Sequence, residues 1–377
     1  MKPVRILAVA RKEFIHIFRD ARSLAMAIAI PMLLLVLFGY ALTLDVDNVP
    51  MVVWDQDASH VSREFISRFS GSRYFSVQGY VRTYRELERA IDSGKALVVL
   101  VIPADFSRWI ESGRPAPVQF IVDGSDSNTA TIALGYAEVV ASAYSQDVAL
   151  QQMQRVGGRT LATPLDVRPR VWFNTDMESK NYIIPGLIAV IMMVIAALLT
   201  SLTVAREWER GTMEQLISTP VKGQELIMGK LLPYFILGMV DMLLAVLMGE
   251  FVFHVPLRGN VALLFGMAAI FLAGALSLGM VISIVARSQL LANQMAMVLT
   301  FLPSFLLSGF MYAIGNMPKP IQLITYLVPA RYFVALLKGI YMRGVGLKIL
   351  AGEALLLTAF GIFVLLLANV KFKKKLV

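Results

Sequence analysis

The chain has 377 residues, 57% of them hydrophobic and only 16% charged, with a mean hydropathy of +0.67 and a formal net charge of +9. That composition is too apolar for an ordinary soluble globular protein and puts the chain in a membrane. The absence of cysteine excludes a disulfide scaffold, a thiol nucleophile and thiolate metal ligands, and three scattered histidines argue against a histidine-rich metal site, so no metal is expected.

A hydrocarbon core of about 30 Å needs roughly 20 consecutive apolar residues in a helix, because only a helix satisfies its own backbone hydrogen bonds there. Residues 1–23 form a basic amphipathic run, and the first of six such segments follows at 24–44. It is longer than a signal-peptide core and no convincing cleavage site follows, so it is read as a retained anchor. Residues 45–180 turn polar and are long enough for a folded domain. Predicted strands at 49–54, 75–80, 96–102 and 118–122 alternate with helices at 59–69, 84–91 and 104–111, and a long helix runs over 128–154. This alternation argues for an inserted α/β domain with a partly parallel sheet. The tract from Asp123 to Asn128 is read as a helix-capping turn; a calcium loop would need a fuller ligand ladder and a terminal bidentate Glu.

The second span, 182–205, runs directly into AREWERGTMEQLISTPV at 205–221. Gly211 should interrupt the helix, Thr212 and Gln215 have the spacing of a capping box, Glu214 falls in the first turn and Pro220 marks the end. A helix of about two turns is unstable alone, so its surroundings or a partner must hold it. Residues 223–231 approach a phosphate-binding loop, but five residues separate the glycines, Leu231 stands where Ser or Thr is required, and the tract enters the third span at 231–252. Within that span Asp241 falls near the bilayer centre, about 15 Å of helix beyond Lys230. It is either a cation or proton contact on a transport pathway or a hydrogen-bonded carboxyl between helices.

In the fourth span, 261–286, Ala269, Ala273 and Ser277 form a small-residue stripe with Gly266, Gly274 and Gly279 nearby, expected to pack within the chain and with a dimer contact as the other choice. The fifth and sixth spans are 294–314 and 349–370. Between them, apolar stretches at 321–328 and 332–342, set off by Pro318, Pro320 and Pro329, are too short to cross and suit a re-entrant or interfacial hairpin over 316–346. With both termini inside, fifteen Lys and Arg flank the spans on the cytoplasmic side against six on the short outer connections. The polar domain then lies outside, and the excess basic charge answers to lipid rather than to nucleic acid.

The basic run RKEFIHIFRDARS at 11–23, the tract REWERGTME at 206–214 and the segment MPKPIQLITYLVPARYF at 317–333, in this order, resemble the membrane permease subunit of ABC-type exporters of the type-2 export class. The likeness is to the multidrug-efflux subgroup, which has a large periplasmic domain after its first span; the domain itself matches only by position, size and element order. The resemblance implies that 206–222 contains a coupling helix docked on a separate ATPase subunit, which binds ATP and Mg, so this chain needs no cofactor of its own and is not an enzyme. Arg206, Glu207, Glu209, Arg210, Gly211, Thr212, Glu214, Gln215 and Pro220 would then form the ATPase-coupling set. Arg11, Lys12, Glu13, Arg19 and Asp20 would lie on a helix along the inner leaflet. The implied setting is a bacterial inner membrane, with a second permease copy or homologue and a periplasmic membrane-fusion adaptor as further partners, and amphipathic drug-like or lipid-like compounds as cargo. Two other functions fit the same sequence: ATP-driven signalling to a periplasmic partner without flux, and a proton-coupled carrier using Asp241.

Overall fold

The computed structural model describes residues 2–42, 47–155, 173–174 and 178–372. It divides into two compact units, Met1–Thr43 with Val171–Val377, and Leu44–Arg170. Lys373, Lys374 and Lys375, and the end of the first predicted span, lie outside the described residues.

The chain opens with α1 (Pro3–Arg19) and α2 (Ala21–Ala41). Strands β1 (Val49–Asp55), β2 (Phe75–Tyr80), β3 (Val98–Ile102) and β4 (Gln119–Val122) alternate with α3 (His60–Ser70), α4 (Tyr84–Asp92) and α5 (Phe106–Glu111), and α6 (Ser127–Arg155) follows. The remaining helices are α7 (Ser179–Glu209), α8 (Thr212–Ser218), α9 (Gly223–Phe251), α10 (Val261–Ala286), α11 (Gln289–Ala296), α12 (Leu302–Leu307), α13 (Lys319–Thr325), α14 (Pro329–Lys338) and α15 (Ala351–Lys371).

In the smaller unit the four strands make one small sheet in the order β2-β1-β3-β4. The pairs β1–β2 and β1–β3 are parallel and β3–β4 is antiparallel. Every residue of β3 is buried, as a continuous apolar run in a central strand requires. Ser59 and Thr83 cap α3 and α4 through their hydroxyls, and Phe65, Phe69, Phe75, Phe106 and Tyr144 pack a largely aromatic core beneath the sheet. The Asp123 carboxylate accepts the Ser125 N–H at 2.9 Å, and the Ser125 hydrogen bonds hold its pKa below the usual carboxylate value, which accounts for the residue as a turn former.

Among the described residues of the larger unit, five helices are long and apolar enough to cross a membrane: α7, α9, α10, the continuous stretch Gln289–Leu307, and α15. The first predicted span is represented by α2, whose stretch Ala27–Ala41 is a shorter apolar helix. Helix α7 is buried along almost all of its apolar length and packs against α2, α9, α10, α11 and α14, which makes it the axis of the unit. The stretch Gln289–Leu307 widens into a π-helical turn at Met297–Phe301. Pro303, which lacks an N–H and clashes with the carbonyl four residues back, accounts for that widening. Helix α13 and the helical stretch Pro329–Arg343 are bent by 86° relative to each other, where a hairpin was expected.

Two expectations need correction. Within the chain the close helix contacts of α10 are made by Gly274 and Gly279 and not by the stripe of Ala269, Ala273 and Ser277. A Cβ on Gly279 would collide with the Thr200 hydroxyl and the Ala197 carbonyl, and one on Gly274 would come to 3.2 Å from the Gly361 Cα. Ala273 is exposed, Ala269 half-buried, and only Ser277 is buried, its hydroxyl donating to the Ala273 carbonyl of its own helix. Spacing alone identifies a small-residue face but not the direction in which that face points. The second correction, a capping box that does not form, belongs to the site described next.

Candidate functional site

The apolar length of α7 ends at Ala205, and the helix continues for one more polar turn before Gly211 breaks it at φ +70°. That left-handed conformation is open to glycine at little cost and turns the chain into α8. Thr212 therefore becomes the first residue of α8, with no side-chain cap. Its hydroxyl donates instead to the Glu207 carboxylate, so the predicted Thr212–Gln215 capping box is replaced by a contact back to α7. Met213, 1% exposed, fastens α8 into the apolar core of the unit.

Around Glu207 four charges meet, three of them largely out of contact with water and the fourth, Lys12, on the exposed side. Lys230, near the start of α9 and 2% exposed, donates to Glu13 Oε1 of α1 at 2.6 Å and to Glu207 Oε1 at 3.1 Å. The third listener to Glu207 is Lys12, whose Nζ lies 2.9 Å from the same oxygen. Lys230 also reaches the Thr203 carbonyl at 3.4 Å. Two lysines and two glutamates give a cluster of zero net charge, which is what makes burial of Glu13, Lys230 and Glu207 tolerable. The cluster locks together α1, α7, α9 and, through Thr212, α8.

Neighbouring residues extend the connections. Glu209 Oε1 accepts the Gln289 backbone N–H at 3.0 Å and the Ser288 hydroxyl at 3.2 Å, and so caps the start of α11. Arg206 donates to the Gln289 side chain at 3.3 Å, and the Arg287 guanidinium lies 5.1 Å from the centre of the Trp208 ring. On the far side of α8, Glu225 in the first turn of α9 accepts the backbone N–H of Lys222 at 2.9 Å and of Lys2 at 2.8 Å, with Arg5 3.6 Å away. Arg5 also donates to the Pro220 carbonyl at 2.6 Å.

The residues singled out from the sequence thus separate into two groups. Arg206, Glu207, Glu209, Thr212 and, through its carbonyl, Pro220 are engaged within the chain, while Arg210, Gly211, Glu214 and Gln215 are exposed. On α1, Glu13 is buried and Lys12 is paired, whereas Arg11 and Arg19 are exposed and Asp20 caps the helix through its backbone. Arg5 and Lys12 are committed to Glu225 and Glu207 rather than free for the bilayer surface. Val9 packs against Gly229 of α9, and the opposite flank of α1 leaves Val4, Leu7, Ile15 and Phe18 exposed. An apolar flank with Arg11 and Arg19 beside it suits a bilayer interface. Asp241 is fully buried, and neither of its oxygens has a hydrogen-bond partner among the described residues.

Sequence reasoning missed Lys230, Glu225 and Gln289. Lys230 reads as one more basic residue flanking a span, and its partner Glu13 is 217 positions away. The only local signal was a single acidic residue within the basic run of 11–19.

A family model described as ABC-2 family transporter protein matches residues 21–370. The chain is 40% identical to the probable multidrug ABC transporter permease YbhS of Escherichia coli (strain K12), over 99% of this chain and 97% of that protein. It is 30% identical to the probable multidrug ABC transporter permease YbhR of the same organism, over 92% of each. The linearmycin resistance permease protein LnrN of Bacillus subtilis (strain 168) is 22% identical over 94% of this chain and 96% of its own length.

Proposed function

The chain belongs to the ABC-2 family of transporter proteins, and from that membership we propose that it is the membrane-spanning subunit of an ATP-driven exporter of amphipathic, drug-like or lipid-like compounds. A separate ABC ATPase subunit binds ATP and Mg and docks on the exposed side of the 206–222 segment. Both termini and this segment lie in the cytoplasm, the sheet-bearing unit lies in the periplasm, the bent pair of α13 and α14 re-enters the membrane from the outer side, and two permeases, identical or homologous, share one pathway in the inner membrane.

The observation that carries this reading is the buried Glu13–Lys230–Glu207 cluster. Movement of α8 by a docked ATPase pulls on Glu207 through Thr212, and Glu207 is bound to α9 by Lys230 and to α1 by Lys12. Glu209 passes the same movement to α11, and α7 carries it along the axis of the bundle. A short exposed helix backed by charge-assisted hydrogen bonds is a stiff connection, because each bond resists displacement in surroundings with little competing water.

Reconstitution of the chain with its ATPase subunit in proteoliposomes tests the proposal. ATP-dependent efflux of a fluorescent amphiphile is expected. Nucleotide-driven motion of the periplasmic unit without flux would favour signalling, and efflux driven by a proton gradient without the ATPase would favour a secondary carrier using Asp241.

A further inference from the structure

At the other end of α7 from the charged junction, about 37 Å away along the helix axis, lies a cavity of about 500 Å³ whose walls include Tyr182, Tyr326, Arg331, Tyr332, Lys338 and Glu353. The Lys338 ammonium donates to the Gly309 carbonyl at 2.9 Å and lies 3.3 Å from the centre of the Tyr182 ring. The Tyr182 hydroxyl donates to the same carbonyl at 3.2 Å, so ring and ammonium are fixed together. Arg331 stacks on Tyr326 at 3.7 Å from the ring centre and is steered by the Thr325 hydroxyl and, at 3.4 Å, the Gln322 carbonyl.

These contacts orient both cations without neutralising them. Neither forms a salt bridge among the described residues, although Glu353 lines the same cavity. Two basic side chains face one carboxylate across the cavity, so its lining is richer in basic than in acidic groups. A guanidinium fork next to an ammonium matches the oxygens of a phosphate or carboxylate, and tyrosine rings offer apolar area to the chain that such a head carries.

We propose that this cavity binds the oxyanion head, phosphate or carboxylate, of an amphiphile. The ligand's oxyanion meets Arg331 and Lys338, its neck lies along Tyr182 and Tyr332, and Glu353 weakens the attraction so that the ligand can leave.

The test uses the full chain in phosphatidylcholine nanodiscs without nucleotide or ATPase, so that its result is independent of the coupling reading. Dansylaminoundecanoic acid is the probe and its methyl ester the uncharged control. The acid is expected to bind about tenfold more tightly than the ester, and Arg331→Gln to remove most of that difference, in line with the loss of one charge-assisted contact. Glu353→Gln, at a half-buried position on the rim, is expected to tighten acid binding by about threefold by removing a like charge. Displacement of the acid by inorganic phosphate identifies a free-anion source, and displacement only after phosphatidylglycerol replaces phosphatidylcholine identifies a lipid headgroup; either supports the site. Equal binding of acid and ester, weaker acid binding by Glu353→Gln, or no displacement by either competitor overturns it.

Discussion

Replacing Lys230 with methionine would leave Glu13 and Glu207 buried, close together and without the ammonium they share. Removing one member of a buried ion pair typically costs about 3–5 kcal/mol, because the remaining charge stays desolvated. Lys230→Met should therefore lower the thermal unfolding midpoint of the detergent-solubilised chain, and adding Glu13→Gln should recover part of the loss. Glu13→Gln alone should cost less than Lys230→Met, since Lys230 keeps Glu207 as its counter-charge. A double variant no more stable than Lys230→Met would show that the two side chains are not coupled. Gly211 offers a second residue-scale test. Its φ of +70° disfavours a Cβ by about 1–2 kcal/mol, although the space around it is open, so the strain is conformational and not steric. Coupled ATP turnover should fall in the order Gly, Asn, Ala, Val at this position, since Asn tolerates the left-handed region best among the replacements. A valine variant with unchanged turnover would argue that the angle of the α7–α8 junction does not matter.

Among elements, hydropathy was a sound guide to the existence of the long apolar helices, because a run of about 20 apolar residues has few alternative fates, but it put the fifth span at 294–314 where the helical stretch is Gln289–Leu307. Strand and helix positions around the sheet were also legible: the run predicted at 75–80 is β2, and that at 128–154 is α6 to within a residue at each end. What the sequence could not give was orientation about a helix axis. Ala269 and Ala273 have the spacing of a contact face but are half-buried and exposed, while Gly279 supplies the contact to α7. Likewise the Thr212–Gln215 spacing of a capping box says nothing about Glu207, which is near enough to take the Thr212 hydroxyl for itself. The helix contact can be tested by adding one methyl group. Gly279→Ala should destabilise the chain by about 1–3 kcal/mol, because the Ala197 carbonyl is backbone and cannot rotate aside. Gly266→Ala on the same helix meets nothing within 4 Å and should be neutral or stabilising by up to about 1 kcal/mol. Equal midpoints for the two variants would remove the close approach of α7 and α10 as a source of stability.

For the whole molecule the arrangement around α8 separates two things an ATPase partner needs, a surface to bind and a path for force. Arg210, Glu214 and Gln215 are exposed and available to a partner, whereas Glu207 is turned inward and spent on Lys12, Lys230 and Thr212. Charge reversal on the surface should therefore act on association, and neutralisation of the inward carboxylate on transmission. Glu214→Arg is expected to insert normally in the membrane but to lose copurification with the ATPase and, with it, substrate-stimulated ATP hydrolysis. Glu207→Gln is expected to retain copurification while stimulation falls several-fold, because an amide holds the two lysines less strongly than a carboxylate does. Pull-down and ATPase measurements on the same preparations separate the two effects. If Glu207→Gln also abolished copurification, the buried cluster would be needed to shape the docking surface, and its part in carrying force would have no independent support. If Glu214→Arg left both readouts unchanged, the ATPase would have to bind elsewhere, and α8 would lose its place as the point where the motor takes hold.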